Sequence, residues 1–267
     1  PNLFVEGIDS KTWDELNNSP DKPLLNRPLR GTYPPGSTYK PFMALAALTT
    51  GKRTAAWGMH DPGFFTLGNH TFRDDKPGGH GWVDMQASIV QSCDTYYYML
   101  ARDMGVNAIH DFMKPLGFGQ ITGIDIEGEN RGILPSTDWK RKAYRRPEQQ
   151  KWYDGETISL GIGQGYNSFT ILQLANAVSI LVNNGVAMKP HLVKAVEDSV
   201  SRKRTLTVPK ESYRIPLKQG DIDVIKRAMV AVTHSGTAAR VFAGAAYESA
   251  GKTGTAQTYT LGKNEKY

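Results

Sequence analysis

A serine hydroxyl attacks a carbonyl only when a neighbouring base takes its proton. One stretch of this sequence places both groups within reach: Ser37-Thr38-Tyr39-Lys40, directly after Pro34-Pro35-Gly36. A turn of that composition delivers Ser37 to the first turn of a helix. There the unpaired backbone N–H groups favour a developing oxyanion, and Lys40 falls one turn on, on the same face. A lysine serves as the base when its surroundings hold it neutral. The motif is short enough to arise by chance. Ser19-Pro20-Asp21-Lys22 matches it as well, although Pro23 would end a helix there after a single turn.

Two further groups have the right chemistry. Ser92-Cys93-Asp94 lies 55 residues after Ser37. A hydroxyl at Ser92 could relay a proton between Lys40 and a leaving group, with Asp94 orienting both. The plainer reading is a helix junction with Asp94 as its N-cap. Lys252-Thr253-Gly254-Thr255 supplies a cation, two hydroxyls and a backbone open to close approach. That combination suits a strand edge that binds a carboxylate and lays a peptide alongside, or simply an exposed edge strand.

These motifs need a scaffold. The chain has 267 residues, 39% apolar and 22% charged, with 27 Gly, 15 Pro and one Cys. That is ample for one globular core, and it excludes a disordered tail, a collagen-like fibre and an intrachain disulfide scaffold. The longest apolar stretches, such as 43–48, are too short to span a bilayer, and the opening residues do not read as a signal peptide. Net charge is +6, concentrated at 140–146 and 202–204. A solvated basic face accounts for those runs; a cell-wall glycan or lipid headgroup would use the same charge. No nucleic-acid-binding signature accompanies them.

Prolines at 20, 23, 28, 34 and 35 predict loops over 1–35. Apolar spacing predicts helices over 37–50, 83–91, 95–104, 107–114, 168–183 and 221–233. Gly105 and Gly185 sit where helix ends are capped. A strand is predicted over 245–256, and irregular chain over 52–81 and 117–165. With no internal repeat, a single domain over 1–267 is the economical organisation.

Taken together and in this order, Ser-x-x-Lys, Ser-x-Asn and Lys-Thr-Gly are the set of the serine acyl-transferases that react with penicillin. The sequence resembles the transpeptidase domain of class B penicillin-binding proteins, most of all the elongation-specific members of rod-shaped Gram-negative bacteria. The likeness runs through 26–42, 79–98, Thr122-Gly123-Ile124, 160–166 and 250–257. It implies an α+β fold, a five-stranded antiparallel sheet with helices on both faces and the site at one sheet edge. Relatives place strands before the first and after the last residue of this chain, so an incomplete domain without its anchor and pedestal is expected.

The resemblance also implies roles. Ser37 would attack the penultimate D-Ala carbonyl of a peptidoglycan stem peptide, with Lys40 taking its proton and the N–H groups of Ser37 and Thr255 holding the oxyanion. Ser92 would pass a proton to the departing D-Ala, while Lys252, Thr253 and Thr255, with Gly254 between them, bind its carboxylate. An amine from a second stem peptide would resolve the acyl-enzyme, and β-lactams would acylate Ser37. Expected partners are a membrane glycosyltransferase and elongation-complex proteins at the periplasmic face of the inner membrane. Catalysis would need no cofactor, and no nucleic acid is expected.

Asp94 departs from the pattern, since most relatives have Asn there. A carboxylate beside Lys40 favours the ammonium form. Either Asp94 is shielded or paired elsewhere, or the proton relay runs differently. Cys93, with Asp61, Asp74 and His80 upstream, forms a candidate four-coordinate structural zinc site. Asp75, His60 and His70 are competing ligands, and a buried free cysteine is the plain alternative. The resemblance adds that some members with Cys at this position are expected to hold such a metal. Three other activities share the motifs: a serine β-lactamase or sensor, a D,D-carboxypeptidase, and a penicillin-fold scaffold without turnover. Against the first, Ser92 and Lys252 are 160 residues apart, much farther than in compact β-lactamases.

Overall fold

A computed structural model describes residues 2–255. In chain order the elements are α1 (Ser10–Asn18), α2 (Arg27–Arg30), β1 (Thr32–Tyr33), α3 (Lys40–Thr49), β2 (Gly58–Asp61), β3 (Phe64–Leu67), β4 (His70–Arg73), β5 (Gly81–Asp84), α4 (Met85–Val90), α5 (Asp94–Met104) and α6 (Val106–Met113). They continue with α7 (Thr137–Ala143), α8 (Pro147–Gln150), α9 (Asp154–Leu160), β6 (Phe169–Thr170), α10 (Ile171–Val182), β7 (Val186–Met188), β8 (Ala195–Glu197), β9 (Arg204–Leu206), β10 (Glu211–Arg214), α11 (Gln219–His234) and α12 (Ala239–Phe242).

The centre is α3. Every residue from Lys40 to Ala47 is buried, so this helix is enclosed on all sides by α4, α5, α6 and α11. Pro41 fits because the first helical turn has no N–H bond to lose. A 3-10 turn, Gly36–Tyr39, leads into it and carries Ser37. Tyr39 and Phe42 pack edge-on against Phe118, both at 5.2 Å between ring centroids, and Phe118 meets Phe169 at 4.8 Å. The helix bearing the lysine is thereby fixed from both flanks.

The predicted helices form with small changes of boundary. Val83 and Asp84 belong to β5, and Asp84 caps α4 by accepting from the Ala87 N–H. Thr170 and Gln173 make a reciprocal capping box that starts α10. Chain predicted as irregular is more ordered than its glycine content suggests. Within 52–81, Gly68-Asn69 turns β3 into β4, and β2 pairs with β5. Within 117–165, Ser136 caps α7, and α8 and α9 follow. Residues 1–35 contain α1, capped by Asp9.

Two sheet expectations fail over the described residues. Residues 245–255 form no strand, and Ala256 lies outside the described range. An extended segment becomes a strand only when another backbone pairs with it, and none does so there among the described residues. The continuous five-stranded sheet is likewise not formed by them. The strands make five antiparallel two-stranded pairings: β1 with β6, β2 with β5, β3 with β4, β7 with β10, and β8 with β9.

Candidate active site

Ser37, Ser92, Asp94, Thr253, Gly254 and Thr255 line one cavity of about 230 Å3. Lys40 rises from the start of α3 with its side chain wholly buried. Its ammonium donates to the Ser92 carbonyl, to Ser92 Oγ at 3.1 Å and to Asp94 Oδ1 at 2.6 Å. Lys252 Nζ donates to the same Ser92 Oγ at 2.8 Å. One hydroxyl therefore bridges two lysines that are distant in sequence. Ser92 adopts φ +62°, a left-handed conformation that is costly for a residue with a side chain. The α4–α5 junction holds it there, with the Cys93 N–H bonded to the Ser88 carbonyl at 3.1 Å.

Asp94 lies beside Lys40. It does not cap α5, whose first residue it is, and among the described residues its side-chain partner is Lys40. Its carboxylate pairs with Lys40 at 2.6 Å, the arrangement that favours the ammonium form. Burial, then the Lys40 charge, pulls Lys252 down from its ordinary 10.5 to about 7, against the opposing pull of Asp94 and Asp75. The second lysine therefore titrates near neutrality.

Cys93 points away from the cavity, and there the four expected metal-ligating residues converge. Donor atoms of Asp61, Asp74, His80 and Cys93 all lie within 4.8 Å of one another. Cys93 Sγ is 3.5 Å from both carboxylates, and His80 Nδ1 is 2.9 Å from Asp61 and 3.3 Å from Asp74. Tetrahedral zinc with bonds of about 2.0–2.3 Å needs ligand edges of about 3.3–3.8 Å, close to these spacings. The donor set fits zinc chemically as well. Burial, then the Asp74 charge, pushes the Cys93 thiol up. Burial also disfavours the Asp61 anion, yet hydrogen bonds led by the Gly63 N–H hold it near about 2. Of the competing ligands, His60 and His70 are exposed and outside the cluster, while Asp75, 60% exposed and on the cavity side, forms a second group with Asp74 and Asp94.

Three cavity residues were not singled out from the sequence: Ile162, Gln164 and Thr237. Thr237 Oγ1 shares a 2.6 Å hydrogen bond with Thr253 Oγ1, and Gln164 Nε2 donates to the Thr255 carbonyl at 3.1 Å. The glycine-rich run 161–165 was a signal for Gln164; Thr237, just past α11, had none. Of the basic run, Lys140 is buried against Glu156, and Arg141 and Lys142 pair with Asp138.

Comparison with known proteins gives the family of the chain. The penicillin binding protein transpeptidase domain family matches residues 5–267. The peptidoglycan D,D-transpeptidase MrdA of Haemophilus influenzae is 44% identical over the whole chain, which spans 41% of that relative's length. The crystal structure of Pseudomonas aeruginosa PBP2 in complex with WCK 5153 superposes with a TM-score of 0.85 at 43% identity, over 97% of this chain and 58% of that one. Helicobacter pylori PBP2 in its complex with MreC gives 0.81 at 31% identity, over 96% and 46%. The chain belongs to the penicillin-binding protein transpeptidase domain family.

Proposed function

We propose that this chain is the acyl-transfer domain of a peptidoglycan D,D-transpeptidase acting in cell elongation, with Ser37 as nucleophile. The observation that carries this reading is the Lys40–Ser92–Lys252 hydrogen-bond chain opening onto the cavity that Ser37 lines. Ser37 Oγ attacks the penultimate D-Ala carbonyl of a stem peptide, and the N–H groups of Ser37 and Thr255 receive the oxyanion. Lys40 accepts the Ser37 proton only after releasing one of its own, and the Asp94 carboxylate is the acceptor in place. Collapse breaks the peptide bond, Ser92 passes a proton to the leaving amine, and D-Ala departs. Lys252, Thr253 and Thr255 hold its carboxylate beforehand. The amine of a second stem peptide then attacks the ester, loses a proton and frees Ser37. A β-lactam enters the same path, but its leaving group stays tethered.

Asp61, Asp74, His80 and Cys93 would hold a structural zinc ion, which would supply positive charge to a buried acidic cluster and take no part in the acyl transfer. The domain works at the periplasmic face of the inner membrane beside a glycosyltransferase and elongation-complex proteins. The MreC complex of the H. pylori relative supports the last of these. Incubation with a stem pentapeptide and an amine acceptor tests the activity. Release of D-Ala with formation of the transfer product is the expected result. Release with hydrolysis alone would make it a carboxypeptidase, and no release would overturn the reading.

A further inference from the structure

Loop 161–165, Gly-Ile-Gly-Gln-Gly, follows α9 and touches all three motif-bearing parts of the site. A side chain on Gly161 would run into the Tyr97 carbonyl and Ala101 of α5, the helix that begins at Asp94. The Gly163 carbonyl accepts from the Gly36 N–H at 3.0 Å, at the head of the turn carrying Ser37. Gly163 adopts φ +72°, and any side chain there would strike the Gly36 carbonyl and Tyr39. Gln164 Nε2 reaches across to the Thr255 carbonyl at 3.1 Å.

The loop is anchored at both ends. Its own backbone is tied by Gly163 N–H to Leu160 and Gln164 N–H to Ser159, both at 3.0 Å. Behind it, Glu156 accepts from the Tyr166 hydroxyl and the Tyr153 N–H, each at 2.9 Å, and from buried Lys140. The rings of Trp152, Tyr153 and Tyr166 enclose that ammonium at 5.4–5.7 Å. Glu156 and Lys140 thereby find each other rather than solvent, and the bracket behind Gln164 is rigid.

We infer that Gln164 is a positioning residue for the acyl transfer. Donating to Thr255 from a loop locked to the Ser37 turn, it sets the separation between Ser37 and the Thr255 N–H assigned to the oxyanion. This rests on the function proposed above. Gln164 touches no reacting atom and acts through Thr255.

The test is stopped-flow acylation by a β-lactam, resolving initial affinity from the acylation rate constant. Gln164→Ala should slow acylation by about 10- to 100-fold, a part of what losing an oxyanion donor outright costs, with affinity within about twofold. Gln164→Glu should be as slow at neutral pH, since a carboxylate cannot donate. Its rate relative to wild type should climb toward one as pH falls through roughly 4–5 and the donor returns. A merely structural side chain would not produce that recovery. Unchanged acylation in Gln164→Ala, a loss confined to affinity, or a flat Gln164→Glu ratio overturns the inference. A wild-type protein that takes up no β-lactam overturns the functional reading instead, and this inference with it.

Discussion

On one side of the Ser92–Asp94 turn, Lys40 and Lys252 meet Ser92 and Asp94. On the other, Cys93 faces Asp61, Asp74 and His80. Both regions bury ionisable groups around the same three residues. The cavity side balances its charge with the chain's own cations: Asp94 has Lys40 at 2.6 Å. The far side collects two carboxylates, a thiol and one imidazole, with no Lys or Arg salt bridge to either carboxylate among the described residues. Burying charge without a partner is costly. The first region is therefore neutralised within the fold, while the second offers the donor set that the proposed zinc ion would complete. Each region should fail in its own way.

The largest effect belongs to the internal pair. Lys40→Met removes the proposed base and strands Asp94, whose side chain is 14% exposed. Acylation by a β-lactam should fall by about 10³-fold or more, and denaturant titration should show a loss of about 3–5 kcal/mol. Retained acylation would show that another group takes the Ser37 proton.

Next comes the external cation. A chelator should lower the thermal midpoint by roughly 5 °C or more, since a structural metal contributes folding energy directly. Cys93→Ala should begin from that lowered midpoint and respond little to further chelation. An identical chelator response in both proteins would dissolve the contrast between the two sides.

The finest distinction is in pH. Lys252 sits near about 7 because of burial and then the Lys40 charge. Its folded value lies below its ordinary 10.5, so its charged form is penalised at every pH below about 7. That penalty fades as pH rises from about 7 to about 10.5, and stability gains over that window. Acylation behaves oppositely: if the cation binds the drug carboxylate, the rate should decline as pH rises through about 7. Lys252→Arg, always charged, should move that decline upward by more than about two pH units. An unmoved decline would assign it to another group.

Much of this site is readable from short motifs. Ser37, Lys40, Ser92 and Lys252 announce themselves because the proposed nucleophile, base and relay must be particular residue types. The cluster of Asp61, Asp74, His80 and Cys93 is readable because few side chain types can act as metal ligands. The pairing of Asp94 with Lys40 is a matter of direction, which depends on how the α4–α5 junction is twisted at Ser92. Thr237 gives no local signal, because it reaches the cavity only through the packing of α11. Helices are legible from apolar spacing, as at α10. The β2–β5 and β3–β4 pairings are not, since half-exposed strands rich in His and Gly resemble loops until their partners are known.

The most direct test of the central claim is intact-protein mass spectrometry after incubation with a β-lactam, run beside Ser37→Ala. A stable adduct of one drug mass, absent from the variant, is the predicted result. A folded wild-type protein that gains no mass, or a Ser37→Ala variant that gains the same mass, would contradict it.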